Sequence, residues 1–180
     1  MSRLTVWDAD TNAQILVTEE PERIAAELKA VGVRFERWPR ADLPADADAD
    51  AILAAYRPRL DAFLGETGAG TADVIKLTPD HPQRDAMRAK FLSEHTHTED
   101  EVRFFHAGTG NFVLHMNGKV FDAHCGPGDL ISVPANSKHW FDAGESPSFA
   151  VVRVFTETSG WTPHYTGTDM AVRFPAKTAA

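Results

Sequence analysis

His95 and His97 stand one residue apart in the stretch 94–105, EHTHTEDEVRFF, where an acidic run and then an apolar one follow them. On an extended chain residues i and i+2 point to the same face, so two neutral imidazoles there can converge on one metal ion at about 2.0–2.1 Å. A carboxylate from the acidic run would add an anionic oxygen. Glu101 lies six residues after His95 and is the favoured candidate; Glu99 shares its parity, and spacing alone leaves the choice open. The competing reading is a solvated acidic turn between two ordinary strands, because HxH pairs are common in chains that hold no metal. A third imidazole is on offer from His139 in GDLISVPANSKH (128–139), where Pro134 closes an apolar run and the ANSK turn presents the histidine on the next strand, with Phe141 on its face. If the chain stays extended after Glu101, Arg103 and Phe105 share its face and Phe104 points the other way.

These side chains need strands to carry them, and the sequence supplies strands from Leu92 onward. Short apolar runs alternate with turn residues: VRFF, HAGTG, NFVLHM, NGK, VFDAH, CGPGD, LISVP, ANSK, HWF, DAGESPS, FAVVRVF. Asn117 and Gly118 predict a hairpin, since a type I′ turn needs positive φ at both central residues. Several strands within about 65 residues, joined by tight turns, read as an antiparallel sandwich or small barrel. Six of the eight histidines, including His106, His115 and His124, fall in this unit.

Upstream the texture is mixed. Ile24, Leu28 and Val31 recur at helical spacing behind Thr18 as a candidate cap. A second helical pattern covers 46–64, with Ile52, Leu53, Tyr56, Leu60 and Leu64 apolar and Pro58 expected to kink or divide it. Residues 83–91 suggest one more short helix, 4–7 and 33–38 short strands, and 65–70 (GETGAG) a loop. Helices packing outside the β unit are expected.

A length of 180 residues suits one domain, and 43% apolar with 24% charged residues is ordinary globular composition. No window approaches the roughly 18 apolar residues of a membrane span. The net charge of −8 is spread evenly, with 12 basic and 16 acidic residues in 1–90 against 6 and 10 in 91–180. Nucleic acid and anionic membranes need clustered cations, so neither is an expected partner. Cys125, the single cysteine, fits a reducing compartment; with neither a signal-peptide pattern nor a lipidation motif at the ends, a cytoplasmic protein is expected.

Taken together the motifs resemble those of the cupin superfamily. HTHTEDEVRFFHAG (95–108) is similar to the first cupin motif from its first His to its final Gly, and Gly128, Pro134 and His139 match the second. The departures are Ala89, Asn136 and Ala143, at positions where the motifs carry Gly, Gly and Asn. More closely, EHTHTEDEVRFF together with VPANSKHWFDAG, a later RVF and the Trp of GWTPHY resembles the acireductone dioxygenase family of methionine salvage, over nearly the whole chain.

The resemblance implies a mainly β fold: a cupin (jelly-roll) β-barrel with an N-terminal α/β portion and flanking helices. It divides as a helix-rich portion over 1–90, a metal-binding barrel core over 91–160 and a C-terminal segment over 161–180, in one domain. The implied ligands are His95, His97, Glu101 and His139, holding one Fe(2+) or Ni(2+) per chain, a donor set without the thiolate that favours Cu(I) or clusters. The implied substrates are the acireductone 1,2-dihydroxy-3-keto-5-methylthiopentene, bound as a chelating dianion, and O2. A divalent ion with one carboxylate is +1 and the dianion makes the site −1, so a guanidinium is needed, from Arg103 foremost or Arg153. Phe91, Phe105, Phe141 and Trp161 are candidates for a dry pocket around the methylthio tail, and Asp100 for a proton acceptor. A monomer is expected. The alternatives are a metal cupin isomerase of a sugar phosphate, which would call for more cations, and a cupin sensor without turnover.

Overall fold

The computed structural model describes residues 1–44, 46–156 and 162–176. Sixteen elements run along these residues in the order β1 (Arg3–Asp8), β2 (Gln14–Thr18), α1 (Pro21–Lys29), β3 (Arg34–Arg37), α2 (Ala49–Thr67), β4 (Thr71–Leu77), α3 (Arg84–Phe91), β5 (His95–Thr96), β6 (Glu101–Gly108), β7 (Gly110–Met116), β8 (Lys119–Cys125), β9 (Asp129–Val133), β10 (Lys138–Asp142), β11 (Phe149–Phe155), β12 (His164–Tyr165) and α4 (Met170–Arg173). The strands form a seven-stranded sheet, β12-β5-β10-β7-β8-β1-β2, and a five-stranded sheet, β3-β9-β6-β11-β4. Neighbours within both sheets pair antiparallel. From β5 to β12 every connection except the β7–β8 hairpin passes between the sheets, which is the jelly-roll expected from the resemblance. Among the described residues no helix is long and apolar enough to cross a membrane.

Asn117 and Gly118 connect β7 to β8 with φ of 51° and 70°, and Met116 pairs with Lys119 across them. Both central residues are left-handed, as the type I′ turn demands. Between the sheets lies the main core, where Phe105, Phe112, Leu114, Phe121, Ile131 and Val151 meet. The alternate residues of β6 point outward, and Phe104, fully buried, packs there with Val102, Leu130 and Val152 against α2. This sheet is therefore covered on both faces, which is why VRFF, LISV and FAVVRVF read as nearly continuous apolar runs rather than as alternation. On the far side of the other sheet, Met170 and Phe174 of the α4 region cover Trp7, Val113 and Trp140.

The amino-terminal half contributes more than outer helices. Its strands extend the seven-stranded sheet (β1 and β2) and form both edges of the five-stranded one (β3 and β4). Thr18 does not cap α1: Glu20 occupies that position, and the Thr18 hydroxyl instead accepts from the Glu20 N–H at 3.2 Å. The α2 helix is undivided despite Pro58 and runs through Gly65 to Gly68, so the expected loop begins three residues late. Asp48 caps its start by accepting from Ala51 N–H at 2.8 Å, and Ile52, Tyr56, Leu60 and Phe63 form the buried stripe.

Pro58 is exposed in the middle of this helix, where it removes a hydrogen bond and gains no burial. Pro58→Ala is expected to raise stability by about 1–3 kcal/mol, the helix-interior cost of proline less its restraint on the unfolded chain. The urea midpoint of the metal-loaded protein measures this; an unchanged or lower midpoint would refute it.

Candidate metal centre

His95 in β5 and His139 in β10 are direct cross-strand partners, with ring centroids 4.5 Å apart. His97 follows β5 by one residue, and its ring lies 4.9 Å from His95 and 5.3 Å from His139. Glu101 opens β6 in the opposite sheet, facing them. One ligand atom from each of the four side chains falls within 4.8 Å of all the others, and all four residues are buried. The same-face argument from His95 points to the acid that does face the histidines, but the chain gets there by a different route: it leaves β5, turns through 98–100 and changes sheets before Glu101. Glu99 points elsewhere, accepting from Thr156 N–H at 3.3 Å.

Each imidazole is oriented from behind by a backbone carbonyl. Nδ1 of His95 donates to Ser93 O at 2.7 Å, Nδ1 of His97 to Thr162 O at 3.2 Å and Nδ1 of His139 to Ser137 O at 2.9 Å. A carbonyl can only accept, so the neutral rings carry their proton on Nδ1 and present Nε2 as a bare lone pair. Those lone pairs meet an anion: Nε2 of His139 and of His97 lie 2.7 and 3.3 Å from Glu101 Oε2. Nε2 of His95 and His97 are buried without a hydrogen-bond partner among the described residues. A single proton could relieve one such contact. One divalent cation relieves all four, and a donor set of three imidazoles and a carboxylate fits it.

Electrostatics keep the donors ready. Burial, and then the neighbouring His139, push the His95 imidazolium down to about 4, so that ring is a neutral donor at physiological pH. Burial alone would raise the Glu101 carboxyl, but the Arg103 guanidinium, with His139 and His97 beside it, holds it well below the usual range. Arg103 Nη2 contacts Glu101 Oε1 at 2.8 Å. Burial lowers Arg103 to about 10, which still leaves it charged near neutrality.

From Glu101 and Arg103 a cavity runs between Phe91, Phe105 and Phe141, with Met87, Leu77 and Phe149 further along its apolar wall. Four sequence candidates thus meet there: Arg103, Phe91, Phe105 and Phe141. Arg153 does not line the cavity. It lies opposite Arg103 across β6 and β11 and forms a two-pronged pair with Asp73 of β4, Nε to Oδ1 at 2.7 Å and Nη2 to Oδ2. Asp100 is also outside: exposed, it accepts from Ala135 N–H at 2.9 Å and pins the turn before β10, so it has no geometry for taking a proton from the cavity. Trp161 lies outside the described residues. Asn136, where the cupin motif has Gly, has φ of 62°, a conformation that Asn tolerates better than most residues.

Some supports carried no readable signal. Glu94, 1% exposed beside His95, receives His115 Nδ1 at 2.8 Å and the hydroxyls of Thr166 and Thr168 at 2.7 and 2.8 Å. Burial would raise its carboxyl, and these partners bring it below its ordinary value. The same segment includes β12, which pairs with β5 at His95. On the other side, Arg88 of α3 clasps Asp142 through two bonds of 2.8 and 3.0 Å and holds that helix over the cavity. A buried acid adjoining HTH was the one clue available for Glu94; the carbonyls of Ser93, Thr162 and Ser137 offer none.

Comparison with known proteins agrees with this geometry. The ARD/ARD' family profile matches residues 3–163. The acireductone dioxygenase of Granulibacter bethesdensis is 63% identical over 178 residues, covering 98% of this chain and 99% of its own. That of Acidiphilium cryptum is 59% identical over 177 residues, covering 97% and 98%. A solved structure, the acireductone dioxygenase from Bacillus anthracis with a cadmium ion in its active centre, matches with a TM-score of 0.81 at 32% identity, over 92% of this chain and 98% of the other. With three imidazole lone pairs and a carboxylate converging inside a jelly-roll, and relatives of this name matching along nearly its whole length, the chain belongs to the ARD/ARD' family, the acireductone dioxygenases.

Proposed function

We propose that the chain, as a single-domain cytoplasmic monomer, holds one Fe(2+) or Ni(2+) through His95, His97, Glu101 and His139 and cleaves 1,2-dihydroxy-3-keto-5-methylthiopentene with O2 in methionine salvage. With iron the products are 2-keto-4-methylthiobutyrate and formate; with nickel they are 3-methylthiopropionate, formate and carbon monoxide. The observation that carries the reading is the convergence of three bare Nε2 atoms on Glu101 at the polar end of an apolar cavity. The four side chains would hold the ion, and the cavity that adjoins Glu101 and Arg103 would leave room for a chelating substrate beside it. The bound ion supplies Lewis-acid polarisation of the substrate's oxygens.

The chain's own residues do the rest. Arg103, charged and reaching the cavity, balances the dianion; its contact with Glu101 also fixes that carboxylate's orientation. Arg153, held by Asp73, stands behind Arg103 and adds positive field without touching the cavity. Phe91, Phe105 and Phe141 surround the methylthio tail and exclude water. A substrate that arrives ionised needs no base from Asp100. The isomerase alternative finds little support, because among the described residues the cavity's only cations are Arg103 and Arg88, fewer than a phosphate group would call for.

Anaerobic purification, reconstitution with Fe(2+) or Ni(2+), and oxygen uptake with synthetic acireductone test the reading; absence of uptake with both ions sinks it, and carbon monoxide with nickel alone supports the product split. His97→Ala is expected to lower metal affinity by more than the roughly 10- to 100-fold that loss of an outer hydrogen-bonding partner costs. Metal content after dialysis against a chelator checks this, and one ion retained per chain would exclude His97 as a ligand. Arg103→Ala should cost about 2–5 kcal/mol in kcat/KM, since it strands the Glu101 carboxylate and leaves the dianion unbalanced. Arg103→Lys should recover part of the loss, and wild-type kinetics in the alanine variant would make Arg103 a bystander.

A further inference from the structure

Gly110 opens β7 on the face of the sheet that lines the core, two residues before Phe112, which pairs with Phe141 of β10. It is buried, and its backbone is not among those with positive φ, so an L side chain meets no conformational objection there. What excludes a side chain is Phe141. A Cβ built on Gly110 would lie 2.5 Å from Cζ and 2.6 Å from Cε2 of that ring, and 3.4 Å from Cε1 of Phe105. The tip of the Phe141 ring therefore rests in the space that any other residue at position 110 would fill.

The other sides of that ring are defined as well. Phe112 flanks it at 4.9 Å and Phe149 at 6.2 Å between centroids. Phe105 reaches to 3.4 Å from the missing Cβ, and Phe141 itself lines the cavity beside Phe91, Phe105 and Met87. Resting on Gly110, the ring occupies the space of the missing Cβ; lifted from Gly110, it would have the cavity it already lines to enter.

We infer that Gly110 determines specificity, because its lack of a side chain keeps the Phe141 ring down and sets how long an apolar tail the cavity admits. The inference rests on the dioxygenase reading for the identity of the tail. Gly110 touches neither the tail nor the reacting atoms and acts through Phe141, so it is a positioning residue. Nothing in the sequence marks it: a glycine after the turn residues 108 and 109 reads as part of the turn.

The test compares wild type and Gly110→Ala on two acireductones, one with the methylthio tail and one in which a methyl group replaces it. The alanine variant should raise KM for the methylthio substrate by about tenfold or more, the order that one or two methylenes command in an apolar pocket. KM for the short substrate and metal content should stay within about twofold of wild type on the same scale. Adding Phe141→Leu to Gly110→Ala should restore the long substrate, and this double variant carries the test if the single variant does not fold. A crystal structure of Gly110→Ala gives a readout independent of turnover: a ring displaced into the cavity supports the inference, and a ring displaced outward or unmoved overturns it. Equal losses on both substrates also overturn it. Failure of the wild type to consume oxygen with either acireductone would count against the dioxygenase reading, and the ring position would still decide the role of Gly110.

Discussion

Three lone pairs aimed at one carboxylate are an arrangement that a protein interior does not tolerate by itself. Each imidazole is held in that orientation by a hydrogen bond to a backbone carbonyl on its far side, so the rings cannot turn away without leaving a buried N–H unpaired. The repulsion at the front and the restraint at the back together select for a positive charge at the point of convergence. Much of the surrounding structure serves to keep the rings' backs in place. The Ser137 carbonyl belongs to the turn that precedes β10, and Asp100 pins that turn through Ala135. The Thr162 carbonyl belongs to the segment that β12 and Glu94 fasten to β5.

The two sheets divide the work. Histidines come from the seven-stranded sheet and its edge, and the charged pair Glu101 and Arg103 from the five-stranded one. Arg103 and Arg153 face each other across paired strands, a juxtaposition of like charges that costs energy unless carboxylates intervene. Glu101 on one side and Asp73 on the other supply them. In the row Glu101, Arg103, Arg153, Asp73 a carboxylate stands at each end of the two guanidinium groups, so charge is nearly balanced, while the cavity end retains a guanidinium close to the surface a substrate would reach.

How much of this could be read from the chain depends on how locally each piece is specified. His95, His97 and His139 were legible because two lie within three residues and the third follows a proline-closed strand and a tight turn. Arg103 and Phe105 were legible through the period of two in β6, and the Asn117-Gly118 turn through its backbone requirement. Glu101 is the acid that faces the histidines, but the parity that points to it runs through a turn between sheets, where parity has no meaning. Asp73 escaped because β4 was not recognised; its Val74 and Ile75 were the available hint, diluted by the loop-like residues before it. Asp100 drew interest from its neighbours in sequence and turned out to serve a turn. Pro58 was expected to interrupt α2, yet the stripe Ile52, Tyr56, Leu60 and Phe63 packs under it without a break; burial of one face outweighs one lost hydrogen bond.

The single cysteine means that this fold has no internal disulfide. A metal ion held by the four-residue cluster would take that part. An ion bound by His95, His97, Glu101 and His139 joins a strand of one sheet to a strand of the other and closes a loop of chain between Glu101 and His139. In the unfolded chain His139 would be far from the other three donors, so occupancy would act as a cross-link whose strength follows metal affinity and metal supply. Metal supply would thereby become a term in how firmly the two layers of this protein hold together, separately from what it would contribute to chemistry.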